Sequence, residues 1–315
     1  MTDSPSILHV PIEGGDQYPL VVLNQHSGRI IPPDIDLGIP KEKTILGLSD
    51  LFIDDLLRDI PAMGLPVLEQ RINRLLIDTN RFIGDVSERQ LSHEFRQSVR
   101  LFNDHQHGSR LIHQGRGLIP EQFYEDWQPV QIPGNTDLSP EEIEERKRRF
   151  YAPFHNALED VLDTLYEQFG GYLIVDMHSY GRINGAKSDI VIGHLDGRSC
   201  RPELTNRMAE ILSEHDLSVT SERYLQGGYV CKKYSDPAHG KHVIQVEIAR
   251  DLLAYPDNFT ECNYESLEIM KRVLERLLPE MAKHSLSVLQ TPSTTHFAEP
   301  DQAPAYEQDM PLAAQ

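Results

Sequence analysis

The chain has 315 residues, long enough to bury one large α/β core, or two modest ones, without disulfide staples. Its net charge of -19 speaks against nucleic acid as a partner, because phosphate binding needs a field of Lys and Arg that releases counterions; anionic small molecules stay possible, since a local arginine cluster can invert the field inside a cleft. The 39% hydrophobic and 25% charged residues are those of an ordinary soluble protein, no run approaches the roughly 18 apolar residues of a membrane span, and Cys200, Cys231 and Cys262 stand far apart without metal-ligand spacing.

The first eleven residues lack a basic start followed by an apolar core, so no signal peptide and a cytoplasmic location are expected. Pro19-Leu-Val-Val-Leu-Asn24 predicts a buried strand that runs into Asn24-Gln-His-Ser-Gly28, an apolar run followed by His26 and turn-forming residues. From Thr44 to Ile60, apolar residues at Ile45, Leu48, Phe52, Leu56 and Ile60 recur at near-helical spacing and predict one amphipathic helix. Asp50 interrupts it between Leu48 and Leu51, where a buried carboxylate needs a partner; Asp54 and Asp55 read as a solvated face. Pro66 to Leu68 and Arg74-Leu-Leu-Ile-Asp78 read as strands, the second leading into Thr79-Asn-Arg81. Arg71, Arg74 and Arg81 crowd this stretch, as surface cations against the acidic excess or, for Arg81, as a fork of donors facing a substrate carboxylate.

Residues 87–133 are rich in His, Gly, Gln and Arg and weakly periodic, as lids and binding loops are, with Gly115-Arg-Gly-Leu-Ile-Pro120 the most punctuated piece. Ser139-Pro-Glu-Glu142 predicts a helix start, with a capping Ser, Pro at the first helical position and Glu three residues after the Ser. That helix is expected to reach about Phe169, kinked or divided at Pro153, with His155 at the break reading equally as a core or a site residue. Leu173, Ile174 and Val175 then predict a strand buried on both faces, and Asp176, His178 and Ser179 arrive where it should end, at the carboxyl edge where open α/β sheets bind ligands. Further strands are expected at Asp189 to Gly193 and at His242 to Ile248, and helices at Pro202 to Glu214 and Asn258 to Ser285. Gln226-Gly-Gly228 marks a tight turn or a close backbone approach. Glu247, near the end of the last strand, is notable because Glu is depleted from strands. The expected organisation is a leading segment over 1–17, a single domain over 18–288 and a mobile tail over 289–315.

Taken alone, His26 and His178 each read as packed core histidines. Their matching contexts, a strand end followed by small polar residues, point both toward one metal. With Asp50 they make two nitrogens and one oxygen, and three protein ligands with one open position is how catalytic zinc is held. Water bound there becomes acidic near neutral pH, and Glu247 is the nearby acid that would move its proton.

Asn24-Gln-His-Ser-Gly28, Ile77-Asp-Thr-Asn-Arg81, Gly115-Arg-Gly-Leu-Ile-Pro120, Tyr151-Ala-Pro-Phe-His155, Val175-Asp-Met-His-Ser179, Asp189-Ile-Val-Ile-Gly193, Gln226-Gly-Gly228 and Gln245-Val-Glu-Ile248 occur in the order and approximate spacing of the N-formylglutamate amidohydrolase family, which the chain resembles from about residue 18 to 280. The resemblance implies an α/β fold with a mixed, mainly parallel sheet flanked by helices, similar to zinc carboxypeptidases. It also implies one catalytic zinc and cleavage of N-formylglutamate to glutamate and formate, late in histidine degradation. His26 and His178 match the family's motif histidines, and Asp50 the acidic ligand, with Asp54 one turn away as the other candidate. Glu247 resembles the carboxypeptidase general base, and Asn80 with Arg81 the pair that clasps a substrate carboxylate. Arg116, Gly227 and Gly228 are expected to bind substrate, Arg74 to sit with zinc beside the oxyanion, and Asp176 either to orient His178 or to make a structural hydrogen bond. The expected ligand is a small anionic N-acyl amino acid. A diacid needs two carboxylate anchors and only Arg81 is assigned as one, so carboxypeptidase-like or broader deacylase activity, and a silent metabolite-binding version of the fold, remain as alternatives.

Overall fold

The computed structural model describes residues 7–10, 18–46, 48–93, 95, 110–125, 128–182, 188–221 and 225–291. Much of the expected lid (94, 96–109, 126–127) and most of the expected tail (292–315) lie outside the described residues. By backbone contacts the chain divides into two compact units, one built from the described residues of Met1–Leu8, Gln25–Ser49 and Glu69–Ala157, the other from those of His9–Asn24, Asp50–Leu68 and Leu158–Gln315.

The main sheet has seven strands: β1 (Ile7–Val10), β2 (Leu20–Asn24), β3 (Val67–Gln70), β6 (Tyr172–Tyr180), β7 (Ile190–Gly193), β8 (Val219–Thr220) and β9 (Lys241–Ala249). Outside it, β4 (Gln122–Glu125) pairs antiparallel with β5 (Gln128–Gln131), and β10 (Ala254–Tyr255) with β11 (Asn258–Cys262). The order across the sheet is β1-β3-β2-β6-β9-β7-β8. β2 with β6, β6 with β9, and β7 with β8 pair parallel, and β7 runs antiparallel to β9. This is the mixed, mainly parallel sheet that the resemblance implies, and both central strands are buried as such sheets require.

In the second unit, Leu173, Val175 and Met177 of β6 and Ile244, Val246 and Ile248 of β9 enter one apolar cluster with Leu204, Met208, Ile211 and Leu212 of helix α5 (Pro202–Ser213) and with Leu267, Met270, Val273, Leu274, Leu277 and Leu278 of helix α7 (Tyr264–Leu289). Strand alternation therefore turns the intervening residues of β6 and β9 away from that cluster. Parallel register sets Asp176 beside Gln245 and His178 beside Glu247, a polar patch of four side chains on the opposite face. β6 also runs on to Tyr180, further than its apolar run implies, so His178 lies within the strand. The β2 pairing stops at Asn24 opposite Met177, which leaves His178 the first residue beyond it.

The amphipathic helix expected over Thr44 to Ile60 is broken. Helices α1 (Lys41–Leu46) and α2 (Ile53–Leu57) are separate, because Leu48 and Phe52 take left-handed backbone angles (φ 56° and 69°), a conformation no right-handed helix passes through. Asp50 sits inside that break.

The first unit carries little sheet. Arg74 to Asp78 is not the expected strand: Leu75, Leu76 and Ile77 are buried, yet Leu75 N–H and Leu76 N–H turn back to the side-chain and backbone oxygens of Asn73. Buried side chains support the irregular backbone; Asn135 Nδ2 donates to Leu75 O and Pro120 O (2.7 Å each), and Arg146 Nη1 to Leu76 O (3.2 Å) and Asn135 Oδ1 (2.6 Å). The capping box at Ser139 starts helix α3 (Pro140–Arg146) as predicted. Helical backbone angles continue from α3 through a π-helical turn, Lys147–Tyr151, into helix α4 (Ala152–Phe169), so the segment is not divided at Pro153; the wider turn comes just before the proline, whose ring and missing N–H interrupt a regular ladder. Two shorter differences follow the same logic of local signal: the stretch expected to be helical from Asn258 is first strand β11, and α6 (Tyr229–Tyr234) follows the glycine turn.

Candidate metal and substrate site

In the second unit, Asp50 is held from the broken-helix turn against the end of β6. His178 Nδ1 lies 2.9 Å from Asp50 Oδ2, and Ser179 Oγ donates to Asp50 Oδ1 at 3.3 Å. The other ring nitrogen of His178, Nε2, lies 3.0 Å from Asp176 Oδ2. Asp50, Asp176 and His178 are all buried. Burial opposes a charged imidazole, but Asp176 and Asp50 overcome it and raise the His178 pKa well above its ordinary value. A site that concentrates this much negative charge on one imidazole is suited to a cation in place of the proton.

Glu247 is buried beside His178 across the strand pair. Burial pushes its carboxyl up to about 7; His178 opposes this, Asp50 and Asp176 add to it, and Arg250 also opposes. A carboxyl poised near neutrality is what a proton-transfer group at pH 7 needs, and a cation nearby would lower it. Gln245 Nε2 donates to Glu247 Oε1 (2.8 Å) and Gln245 Oε1 accepts from Gly228 N–H (2.8 Å), so one side chain ties the acid to the glycine turn. Gly227 adopts φ +130°, and a Cβ there would meet Cys231 Sγ at 2.8 Å, so the expected close approach is present.

In the first unit, His26 follows β2 by two residues. Its Nε2 lies 2.8 Å from Asp78 Oδ1. Asp78 also accepts from Arg74 Nη2 (2.5 Å) and from Asn80 N–H (2.9 Å), with Arg81 Nη2 at 3.8 Å. Although burial favours the neutral acid, Arg74, His26 and Arg81 hold Asp78 well below the usual carboxylate range. Arg74 Nη1 donates to Leu48 O (3.1 Å). Arg81 donates through Nε to Arg116 O (3.0 Å) and through Nη1 to Asn80 O (2.9 Å). Arg116 is buried, its pKa pushed down to about 9 by burial and by Arg81 and Arg74 against the pull of Asp78, and it stays charged at neutral pH. Three buried arginines against one carboxylate leave this cluster with net positive charge. The π-turn and the first turn of α4 support it: Tyr151 OH donates to Arg81 O (2.9 Å) and His155 Nε2 to Thr79 O (3.1 Å), which makes His155 a buried support of the Asn80-Arg81 segment.

One ligand atom from each of His26, Asp50 and His178 lies within 4.8 Å of the others, and all three residues are buried. These are the three ligands expected from the sequence, and Asp50, not Asp54, belongs to the group. Each histidine has its Nε2 against a buried carboxylate, Asp78 or Asp176, the arrangement by which ligand imidazoles are oriented toward a metal through the other nitrogen. The donor set fits a divalent ion. Sequence reasoning did not single out Asp78 or Gln245, although both lie inside quoted motifs. The available signal was a carboxylate directly after the apolar run Leu75 to Ile77, and a Gln two residues before Glu247 in a strand.

These features define a mixed α/β protein with a buried two-histidine, one-carboxylate group at the end of a parallel strand pair. A profile of the N-formylglutamate amidohydrolase family matches residues 18–254, which span every residue of this site, and the chain belongs to that family. It is 27% identical over 278 residues to N-formylglutamate deformylase of Pseudomonas putida, covering 83% of this chain and 93% of that protein. It is 24% identical over 277 residues to the deformylase of Pseudomonas aeruginosa, covering 84% and 93%. The fold is similar to that of N-formylglutamate amidohydrolase from Ralstonia eutropha JMP134, with a TM-score of 0.77 at 24% identity over 89% of this chain and 98% of that one. A gene product of Agrobacterium tumefaciens gives a TM-score of 0.61 at 18% identity, over 90% and 94%.

Proposed function

We propose that the protein is a zinc-dependent amidohydrolase that cleaves the carbon–nitrogen bond of N-formylglutamate, giving glutamate and formate. The observation that carries this reading is the buried His26, Asp50 and His178 group beside Glu247, in a chain whose relatives carry that activity in their names. A divalent ion held by those three residues would supply Lewis acidity to the amide carbonyl and to a water near neutral pH. Glu247 takes a proton from the attacking water and returns it to the departing amine, a role its buried place beside His178 suits. Gln245 keeps that carboxylate oriented. Arg81 with Asn80, and Arg116 beside them, a cluster of net positive charge despite the chain's overall -19, receive the substrate carboxylates. Two arginines there meet the need of a diacid for two anchors. Gly227 has no room for a Cβ against Cys231, and its turn, tied to Gln245 through Gly228 N–H, supplies the Gly227-Gly228 backbone edge that meets the substrate.

The test combines metal analysis with turnover. Purified protein should carry about one zinc per chain and hydrolyse N-formyl-L-glutamate in preference to N-acetylglutamate, N-formyl amides lacking an α-carboxylate, and peptides. His178→Ala should lose the metal. Glu247→Gln should keep it and lose about 10²- to 10⁴-fold in kcat. Equal metal in wild type and His178→Ala would remove His178 from the site, and undiminished hydrolysis by Glu247→Gln would remove Glu247 as the base.

A further inference from the structure

The stretch from Asn73 to Asp78 touches the chain just after His26 and just before Asp50, the first two presumed ligands. Asn73 Nδ2 donates to Gly28 O (3.1 Å), two residues after His26, and to Ser49 Oγ (3.3 Å), one residue before Asp50. Arg74 Nη1 donates to Leu48 O (3.1 Å), two residues before Asp50, and its Nη2 to Asp78 Oδ2 (2.5 Å). Asp78 Oδ1 faces His26 Nε2 at 2.8 Å. The His26 loop lies against this stretch through backbone as well. Ile30 N–H donates to Arg71 O, Asn73 N–H donates to Ile30 O, and Gly28 approaches so closely that a Cβ there would meet Ile72 O at 2.3 Å.

We propose that Asn73, Arg74 and Asp78 form a brace that fixes His26 and Asp50 in place for the metal, and that their role is positioning. This rests on the metal reading above and deepens it. Arg74, which the sequence assigns to the oxyanion, takes a positioning role here because its fork spans Asp78 and Leu48 O. Asp78 divides its oxygens: Oδ1 serves His26 and Asn80 N–H, Oδ2 serves the arginines. Leu48 is held with φ 56°, a left-handed angle costly for a residue with a Cβ, and Arg74 supplies a hydrogen bond to that residue's own carbonyl. The brace thus stabilises the turn that presents Asp50.

Four proteins decide it: wild type, Asp78→Asn, Arg74→Lys and Asn73→Ala, each stripped of metal and titrated with Zn²⁺ against a chelator. An amide at 78 keeps one acceptor and sets an N–H₂ against either Arg74 or His26, so Asp78→Asn should bind Zn²⁺ about 10- to 100-fold more weakly. Lysine reaches only one of the two acceptors of Arg74, so Arg74→Lys should also weaken binding, as should Asn73→Ala. The visible spectrum of Co²⁺-loaded protein should change in Asp78→Asn, a signature that loss of stability alone would not give. The thermal midpoint of each apo-protein separates folding from binding, and should Asp78→Asn not fold, Arg74→Lys and Asn73→Ala decide. Wild-type affinity and an unchanged Co²⁺ spectrum in the folded variants would overturn the brace while leaving the metal site standing. Wild type that takes up neither ion would remove the metal reading, and the brace with it.

Discussion

His242 is a fully buried imidazole in β9, five residues before Glu247, and among the described residues neither ring nitrogen has a hydrogen-bond partner. Burial and the nearby Arg201 push its pKa down to about 4, while in the unfolded chain it takes a proton near 6.5. Between those two values the unfolded state binds more protons, so stability is intact above pH 6.5 and falls as the pH drops toward 4, by about 3 kcal/mol at most. Denaturant unfolding at pH 7 and pH 4.5 should show His242→Leu gaining about 2 to 3 kcal/mol on wild type between the two conditions; an equal loss in both proteins would remove His242 as the cause. The strand pattern locates this histidine inside the sheet. Its titration depends on Arg201, 41 positions away in the chain and anchored on Val288 O and Thr291 O, which no local pattern reveals.

Helix α3 was legible because a cap is local. Ser139 Oγ accepts from Glu142 N–H (3.2 Å) and Glu142 Oε2 accepts from Ser139 N–H (2.8 Å), the reciprocal pair that the four-residue spacing predicts. Ser139→Ala should cost about 1 kcal/mol in thermal or denaturant unfolding, and a change within error would show that the π-turn and α4 hold this segment without it. Where elements were misread, a side chain or a backbone sign had intervened. The apolar spacing over Thr44 to Ile60 is genuinely helical in period, but the left-handed residues Leu48 and Phe52 divide it, and periodicity carries no information on the sign of φ. Leu75 to Ile77 looks like a strand because a buried irregular segment needs the same apolar side chains; only the Asn73 turn and the Asn135 and Arg146 hydrogen bonds distinguish it.

For the molecule as a whole, the presumed ligands come from positions 26, 50 and 178, so one ion would link three distant stretches of chain. Adding Zn²⁺ to apo-protein at about 1,000 times its dissociation constant should stabilise the fold by about 4 kcal/mol, read as a rise in thermal midpoint that EDTA reverses; an unmoved midpoint would mean that no ion binds the native state. Among the described residues no helix is long and apolar enough to cross a membrane, as the hydropathy predicts. The buried thiols of Cys200 and Cys231 are pushed up in pKa by their burial and remain free, as does Cys262. The sequence alone was sufficient for the sheet class and the main strands, and it named His26, His178 and either Asp50 or Asp54 as candidate ligands, because strand ends and caps are written in neighbouring residues and eight short motifs keep their order. The convergence of those ligands, the choice of Asp50 over Asp54, and the service of Asp78 to His26 were decided only in three dimensions. Hydrogen bonds among buried groups 20 to 130 positions apart depend on which carboxylate the folded backbone carries to which imidazole, and that is a property of packing that no stretch of chain contains by itself.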